Sequence, residues 1–228
     1  MVLGALVLVI AVPGCPRSPS PEPPAPAPEP SPKTAFERLE ERLSRTPWRM
    51  RFELEAEGAV VASLVGTLSL ADEIELEAKG SFAGGEHDVR LWTEGDHLRA
   101  GPRDAPTLDV PRPPELASAL VIGTTRMGLL HNVAMLIAGR PPDGADGGVT
   151  EWVRTHEHER VRAAEGAGGE TGLSFVIEVG GQRVGRATVW LDARGLPVRR
   201  EQIVEFPQGS MKVVERYEWL APPPSQGG

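Results

Sequence analysis

The densest group of side chains able to do chemistry is "HEHER", residues 156–160, in which His156 and His158 stand two apart. On a strand that spacing puts two imidazoles on one face, as a pair of zinc ligands would need. A zinc site wants a third and a fourth donor, and only Glu86, His87 and His97 are on offer. Structural zinc sites show four ligands in recognisable spacing, so a solvent-facing polar strand is the better reading and no metal is expected. No G-x-S-x-G elbow occurs. "EVGGQRVG", residues 178–185, has the glycines of a phosphate loop, but it lies between two strand-like runs and not ahead of a helix, which makes it a hairpin turn. The chain therefore reads as a non-enzyme without a cofactor.

A second charged stretch, "VWLDARGLPVRRE", runs from Val189 to Glu201. Asp192 followed by Gly195 is turn chemistry: a carboxylate accepts nearby backbone N–H groups, and glycine supplies positive φ. Pro197 suits a strand edge that needs no ladder donor. Arg199 and Arg200 fall on opposite sides of the strand and form no common patch, so the stretch is a hairpin corner rather than a site.

The lone cysteine has a different chemistry. "MVLGALVLVIAV", residues 1–12, is apolar and too short to cross a bilayer, but fits the h-region of an export signal. "VPGC" follows it and resembles a bacterial lipobox, in which Cys15 carries a lipid anchor. Residues 1–15 are thus expected to be a lipoprotein signal peptide. Residues 16–33 are expected to be a proline-rich tether, extended at about 3.1 Å per residue, and 221–228 a flexible tail. The folded domain is placed at 34–220. Asp and Glu outnumber Lys and Arg by 32 to 24, so the chain lacks the basic surface that nucleic-acid binding requires.

These features need elements to carry them. "TAFERLEERLSRTP" predicts a helix in which Thr34 and Glu37 have capping-box spacing, Phe36, Leu39 and Leu43 share a face, and Pro47 ends the run. The period then changes to two. Met50, Phe52, Leu54 and Ala56 alternate, as do Leu64, Leu68 and Leu70, then Ile74, Leu76 and Ala78. Half-buried antiparallel strands behave this way. From Pro113 to Gly139 apolar residues recur at three and four, which predicts a long helix or two helices kinked near Gly123. That block is apolar nearly all round, so it must be covered on several sides or must itself cover a cavity. Strands resume after it, about ten in all. The fold class is mainly β with helices (α+β): one curved antiparallel sheet, a half-barrel, with an N-terminal helix and a central helical block over its concave face. Trp48, Trp92, Trp152, Trp190 and Trp219 read as core or rim residues of such a domain.

The order of lipobox, tether, helix, hairpins, central apolar helices and a late "VWLDARGLPV" strand resembles the LolA/LolB-like superfamily of bacterial envelope lipoproteins. The motif is carried by Val189, Trp190, Leu191, Asp192, Gly195, Leu196, Pro197 and Val198. The resemblance implies a cavity for a lipid or lipoprotein acyl chain between the sheet and the helices. The residues expected to line it are Phe52, Leu54, Leu64, Leu76, Leu91, Leu120, Met127, Leu130, Phe175, Ile177 and Trp219. It also implies a membrane-anchored lipoprotein of the cell envelope, on the outer membrane or another periplasm-facing membrane, that carries its ligand without chemistry. The alternative is an envelope sensor or protein-interaction module on the same fold. A fully packed interior has the same sequence signature as a cavity, so both remain open at this level.

Overall fold

A computed structural model describes residues 29–140, 152–162, 170–207 and 209–221. Cys15, the apolar run before it and most of the proline-rich spacer lie outside the described residues, as do residues 222–228. Helix α1 spans Pro32–Arg45. It starts two residues before the expected Thr34, because the Ser31 hydroxyl caps it by accepting the Thr34 N–H at 3.1 Å and proline occupies its first position. Phe36, Leu39 and Leu43 are its buried face.

Six strands follow: β1 (Trp48–Gly58), β2 (Ala62–Leu70), β3 (Ile74–Phe82), β4 (Gly85–Glu94), β5 (His97–Pro102) and β6 (Leu108–Pro111). After the helical block come β7 (Val153–Arg162), β8 (Thr171–Val179), β9 (Gln182–Leu191), β10 (Pro197–Phe206) and β11 (Gly209–Leu220). All eleven join one antiparallel sheet in the order β6-β5-β4-β3-β2-β1-β11-β10-β9-β8-β7. Two meanders therefore meet at the centre, where β1 pairs with β11 from Arg49↔Leu220 to Gly58↔Met211. The strand beyond the ten expected is β6, four residues between prolines, too short to show alternation.

The alternation itself holds residue by residue. Trp48, Met50, Phe52, Leu54 and Ala56 of β1 are buried, and Arg49, Arg51, Glu53, Glu55 and Glu57 between them are exposed. The outer face is a ladder of opposite charges, such as Arg51 to Glu218 at 2.7 Å and Arg90 to Glu75 at 2.6 Å. Gly66 keeps one inner position empty so that the Phe52 ring can lie across it; a Cβ there would fall 2.5 Å from the ring. In β7 the pairing with β8 slips between His156 and Glu159, and Glu157 takes φ +50°. This bulge overturns the expected shared face of the two histidines. His156 turns outward to Glu178 at 3.2 Å, and His158 turns inward against Phe36 and Phe175. Among the described residues no group of three or more His, Cys, Asp or Glu is placed to hold a metal ion.

The helical block covers the inner face in three pieces: α2 (Leu116–Ile122), one π-helical turn (Gly123–Met127) and α3 (Leu129–Ile137). The direction changes at Gly128, whose φ of 90° and ψ of 157° glycine alone reaches without strain, rather than at Gly123. Ahead of it the Thr124 and Thr125 hydroxyls bond back to the Leu120 and Val121 carbonyls at 2.8 and 2.9 Å. A break in mid-block strands carbonyls at the end of one helix and N–H groups at the start of the next. Two charged side chains of the sheet meet both needs. Arg200 of β10, wholly buried, donates to the Thr125 and Arg126 carbonyls at 3.3 and 2.6 Å. Glu215, its cross-strand neighbour on β11, accepts the Leu130 N–H at 3.2 Å and the Tyr217 hydroxyl. A methyl group on Gly128 would fall 2.5 Å from Arg200 Nη1 and 2.6 Å from Glu215 Oε1, so the glycine lets the helix break close onto the pair.

Truncating one of two opposite buried charges costs about 3–5 kcal/mol, because the other charge remains in the interior. Arg200→Met is therefore expected to lose about that much stability in urea denaturation. Arg199→Met, which removes a partly exposed guanidinium over the Trp190 ring, should lose about 1 kcal/mol or less. Equal losses for the two variants would contradict this account of the helix break.

Candidate ligand groove

Most inner-face side chains of the sheet belong to one buried hydrophobic cluster. At one end of the sheet, between α3 and the last residues of the long strands, a space of about 320 Å³ remains. Leu130, His131 and Ala134 of α3 form its roof, with Met127 from the π-helical turn. Ile177 of β8, Gln202 of β10 and Val213 of β11 form its buried floor. Val60 and Phe82, beside the β1–β2 and β3–β4 turns, and Phe206 at the end of β10 stand at its mouth. The mouth residues are only partly buried, so the space is a groove open to solvent and not a sealed chamber. Of its fourteen lining residues only His131 and Gln202 are polar, and none carries a fixed charge. The volume lies at the lower end of the range for small-ligand sites, and the lining is of the kind that holds hydrocarbon.

The polar groups near the groove differ in how they are held. Arg200, two residues further along β10, is tied to the helix break. Burial pulls its guanidinium below the ordinary value, and Glu215 and Tyr217 work against that pull. Burial, with Glu215 adding to it, pushes the Tyr217 hydroxyl well above the usual tyrosine value, so the phenol stays a neutral donor. Gln202 makes no side-chain hydrogen bond with any described residue, although it is almost entirely buried. His131 packs its ring against Trp152, 5.6 Å between centroids, and burial lowers its pKa. The roof is fastened to α1 as well. Arg126 reaches Glu40 at 2.7 Å and the Val153 carbonyl at 2.7 Å, and the Thr125 hydroxyl donates to Glu40 at 2.8 Å.

Of the residues expected to line a cavity, Met127, Leu130 and Ile177 line this groove. Phe52, Leu54, Leu64, Leu76, Leu91, Leu120 and Phe175 are in the packed core. Trp219 is at the opposite end of the sheet, edge-on to Trp48 at 5.4 Å, with its indole N–H on the Pro197 carbonyl. Sequence reasoning missed the other eleven lining residues, among them both polar ones, Gln202 and His131. The available signal for Gln202 was parity along β10, which places it on the same face as Arg200 and Val204. The "DARG" corner is a turn as expected. Asp192 accepts the Arg194 and Leu196 N–H groups at 2.9 and 3.0 Å, and Gly195 has φ 72°. Partial burial tends to raise the Asp192 pKa, but these bonds and the Arg194 charge together hold it below the ordinary carboxylate value.

No protein-family model matches the sequence, and no curated protein matches it. Among solved structures the chain is similar in fold to Pseudomonas aeruginosa MucB in its complex with MucA, at 13% identity and a TM-score of 0.41, over 86% of this chain and 61% of that one. It is also similar to a LolA superfamily protein from Nitrosomonas europaea and to a DUF1329 family protein from Desulfovibrio piger. Each of these is 10% identical, with a TM-score of 0.31 over 82% of this chain and 90% of the other. The chain spans about three fifths of the length of the MucB structure. Likeness at these identities concerns fold alone, and what the groove does is argued from its own residues.

A histidine whose folded pKa lies below its ordinary value near 6.5 binds fewer protons in the folded state than in the unfolded chain within that interval. Stability then rises with pH across the interval and is lost as pH falls from about 6.5 toward the folded value. His131 and His158 both act in this direction, His158 through burial first, then Lys33 and His156, against Glu37 and Glu40. Urea midpoints measured at pH 7.5 and 5.0 should therefore separate less in a His131→Leu variant than in the parent. An unchanged separation would show that His131 titrates alike in both states.

Proposed function

We propose that this chain is a lipid-anchored protein of the bacterial cell envelope that holds a lipid acyl chain in the groove beneath α3 and performs no chemistry on it. The observation that carries the reading is the groove: about 320 Å³ of solvent-reachable space with twelve apolar lining residues of fourteen. An unfilled apolar space costs stability, since its walls lack packing partners, and burying hydrocarbon in it returns about 0.8 kcal/mol per methylene. The role assigned is binding, on the strength of the groove's apolar lining. The domain plan completes the reading: a signal peptide through Cys15, a lipid on that cysteine, a proline-rich tether over 16–33, the folded unit over 34–220 and a tail over 221–228.

Purified from a bacterial envelope and examined by native mass spectrometry, the protein should carry co-purifying lipid. Ala134→Phe, which fills the groove from the roof, should remove that lipid without changing the circular dichroism spectrum. Ligand-free spectra of the parent after gentle purification would overturn the binding role. The anchor has its own test. Cys15→Ser should move the protein from the membrane fraction to the soluble fraction, and a variant that stays membrane-bound would remove Cys15 from the account.

A further inference from the structure

Gln202 is the feature of the groove that a purely apolar cargo does not explain. A primary amide brings two donors and two acceptor lone pairs, and covering it with hydrocarbon that offers no partner is unfavourable. Its strand neighbours on the inner face are used: Arg200 binds the helix break, and Val204 lines the groove. Between them Gln202 is almost fully buried as a residue and forms part of the groove floor; its amide has no hydrogen-bond partner among the described residues and, unlike Asn132 Nδ2 or Trp190 Nε1, is not sealed from the open space. Across the groove stands His131, the other polar lining residue, whose ring nitrogens also have no hydrogen-bond partner among the described residues. No lysine or arginine lines the space; Arg200 of the same strand gives its Nε and Nη2 to the Thr125 and Arg126 carbonyls and packs its unpartnered Nη1 against Gly128.

We propose that Gln202, with His131 opposite, selects a neutral hydrogen-bonding group on the hydrocarbon ligand, an ester or amide carbonyl, and discriminates against both a bare hydrocarbon and a free carboxylate. This rests on the reading of the groove as a lipid site and specifies its ligand class. The Gln202 amide donates to the carbonyl oxygen, which satisfies protein and ligand together. A carboxylate brought to the same place would give up its hydration with no cation to replace it. An alkane would leave the amide unpaired, and that is the kind of omission a site built to hydrogen-bond rejects strongly. Because the groove is open along its mouth, an acyl chain can lie lengthwise with its ester against the floor and need not thread in end first.

The test is isothermal titration of the full chain, held in amphipol, with methyl decanoate, undecane and decanoate as probes. The expected result is that methyl decanoate binds about 10-fold or more tighter than either of the others, the factor that one satisfied buried hydrogen bond supplies. Gln202→Leu, which keeps the volume and removes the amide, should abolish the preference over undecane and leave undecane binding equal or improved. His131→Leu should reduce the preference in part. Equal affinity of the parent for methyl decanoate and undecane, a tighter decanoate complex, or an ester preference that survives in Gln202→Leu would each overturn the selection while leaving a lipid groove in place. Failure of all three probes to bind the parent would instead overturn the groove itself, and the selection with it.

Discussion

The architecture depends on two buried opposite charges, Arg200 and Glu215, which stand opposite each other on neighbouring strands and reach the two sides of a broken helix. Backbone groups at helix ends carry partial charges of opposite sign, negative on the carbonyls and positive on the N–H groups. The cation takes the carbonyls and the carboxylate takes the N–H, so the pair complements the break in charge as well as in hydrogen bonding. This makes an interrupted helix tolerable under full burial, where water cannot satisfy the ends. Gly128 is the geometric half of the same arrangement, since any side chain there would strike both charges. With the break fixed in this way, α3 has a defined direction over the sheet, and the groove beneath it has a defined roof.

The inner face is therefore uneven. The sheet's Leu54, Leu76 and Leu91 and the helical Leu116 and Leu120 are fully buried. Under α3 the side chains on the roof thin to Ala134 and His131, while the strands end in Val204, Phe206 and Met211. Open space is left where a small roof residue, Ala134, faces the strand ends. The same locality explains why polar groups are affordable there: a half-open groove lets Gln202 and His131 keep some contact with water or ligand, which the sealed core would deny them.

Period-two alternation made the strands legible in the sequence, because β1, β2 and β3 each bury one face and expose the other. The central block was legible as helical and as covered on several sides from its apolar surplus. Its exact breakpoint was not, because a glycine at position 123 and one at position 128 carry the same symbol, and only the φ of the second distinguishes them. The opposite facing of Arg199 and Arg200 followed from parity alone, but which of them turns inward depended on the helix that needed a cation. The histidines misled because a bulge at Glu157 inserts one residue, and a non-glycine at positive φ gives no warning in sequence. Groove and core use the same side chains: Leu54 and Leu130 are alike as letters, and only the third dimension decides which of them borders empty space.

The seam between β1 and β11 has a consequence for how the molecule comes into being. Each meander is assembled from neighbours in sequence, so its hairpins close over short loops and can form early. The pairing of Arg49 with Leu220 joins the far ends of the folded chain, and until it forms each half presents a bare inner strand edge with an oily face behind it. In chain order the joining strand is the last of the eleven; until it docks the two halves are most open to pairing with other chains, and the alternating charges along Arg49, Arg51, Glu53 and Glu55 stand beside the waiting edge as its guard.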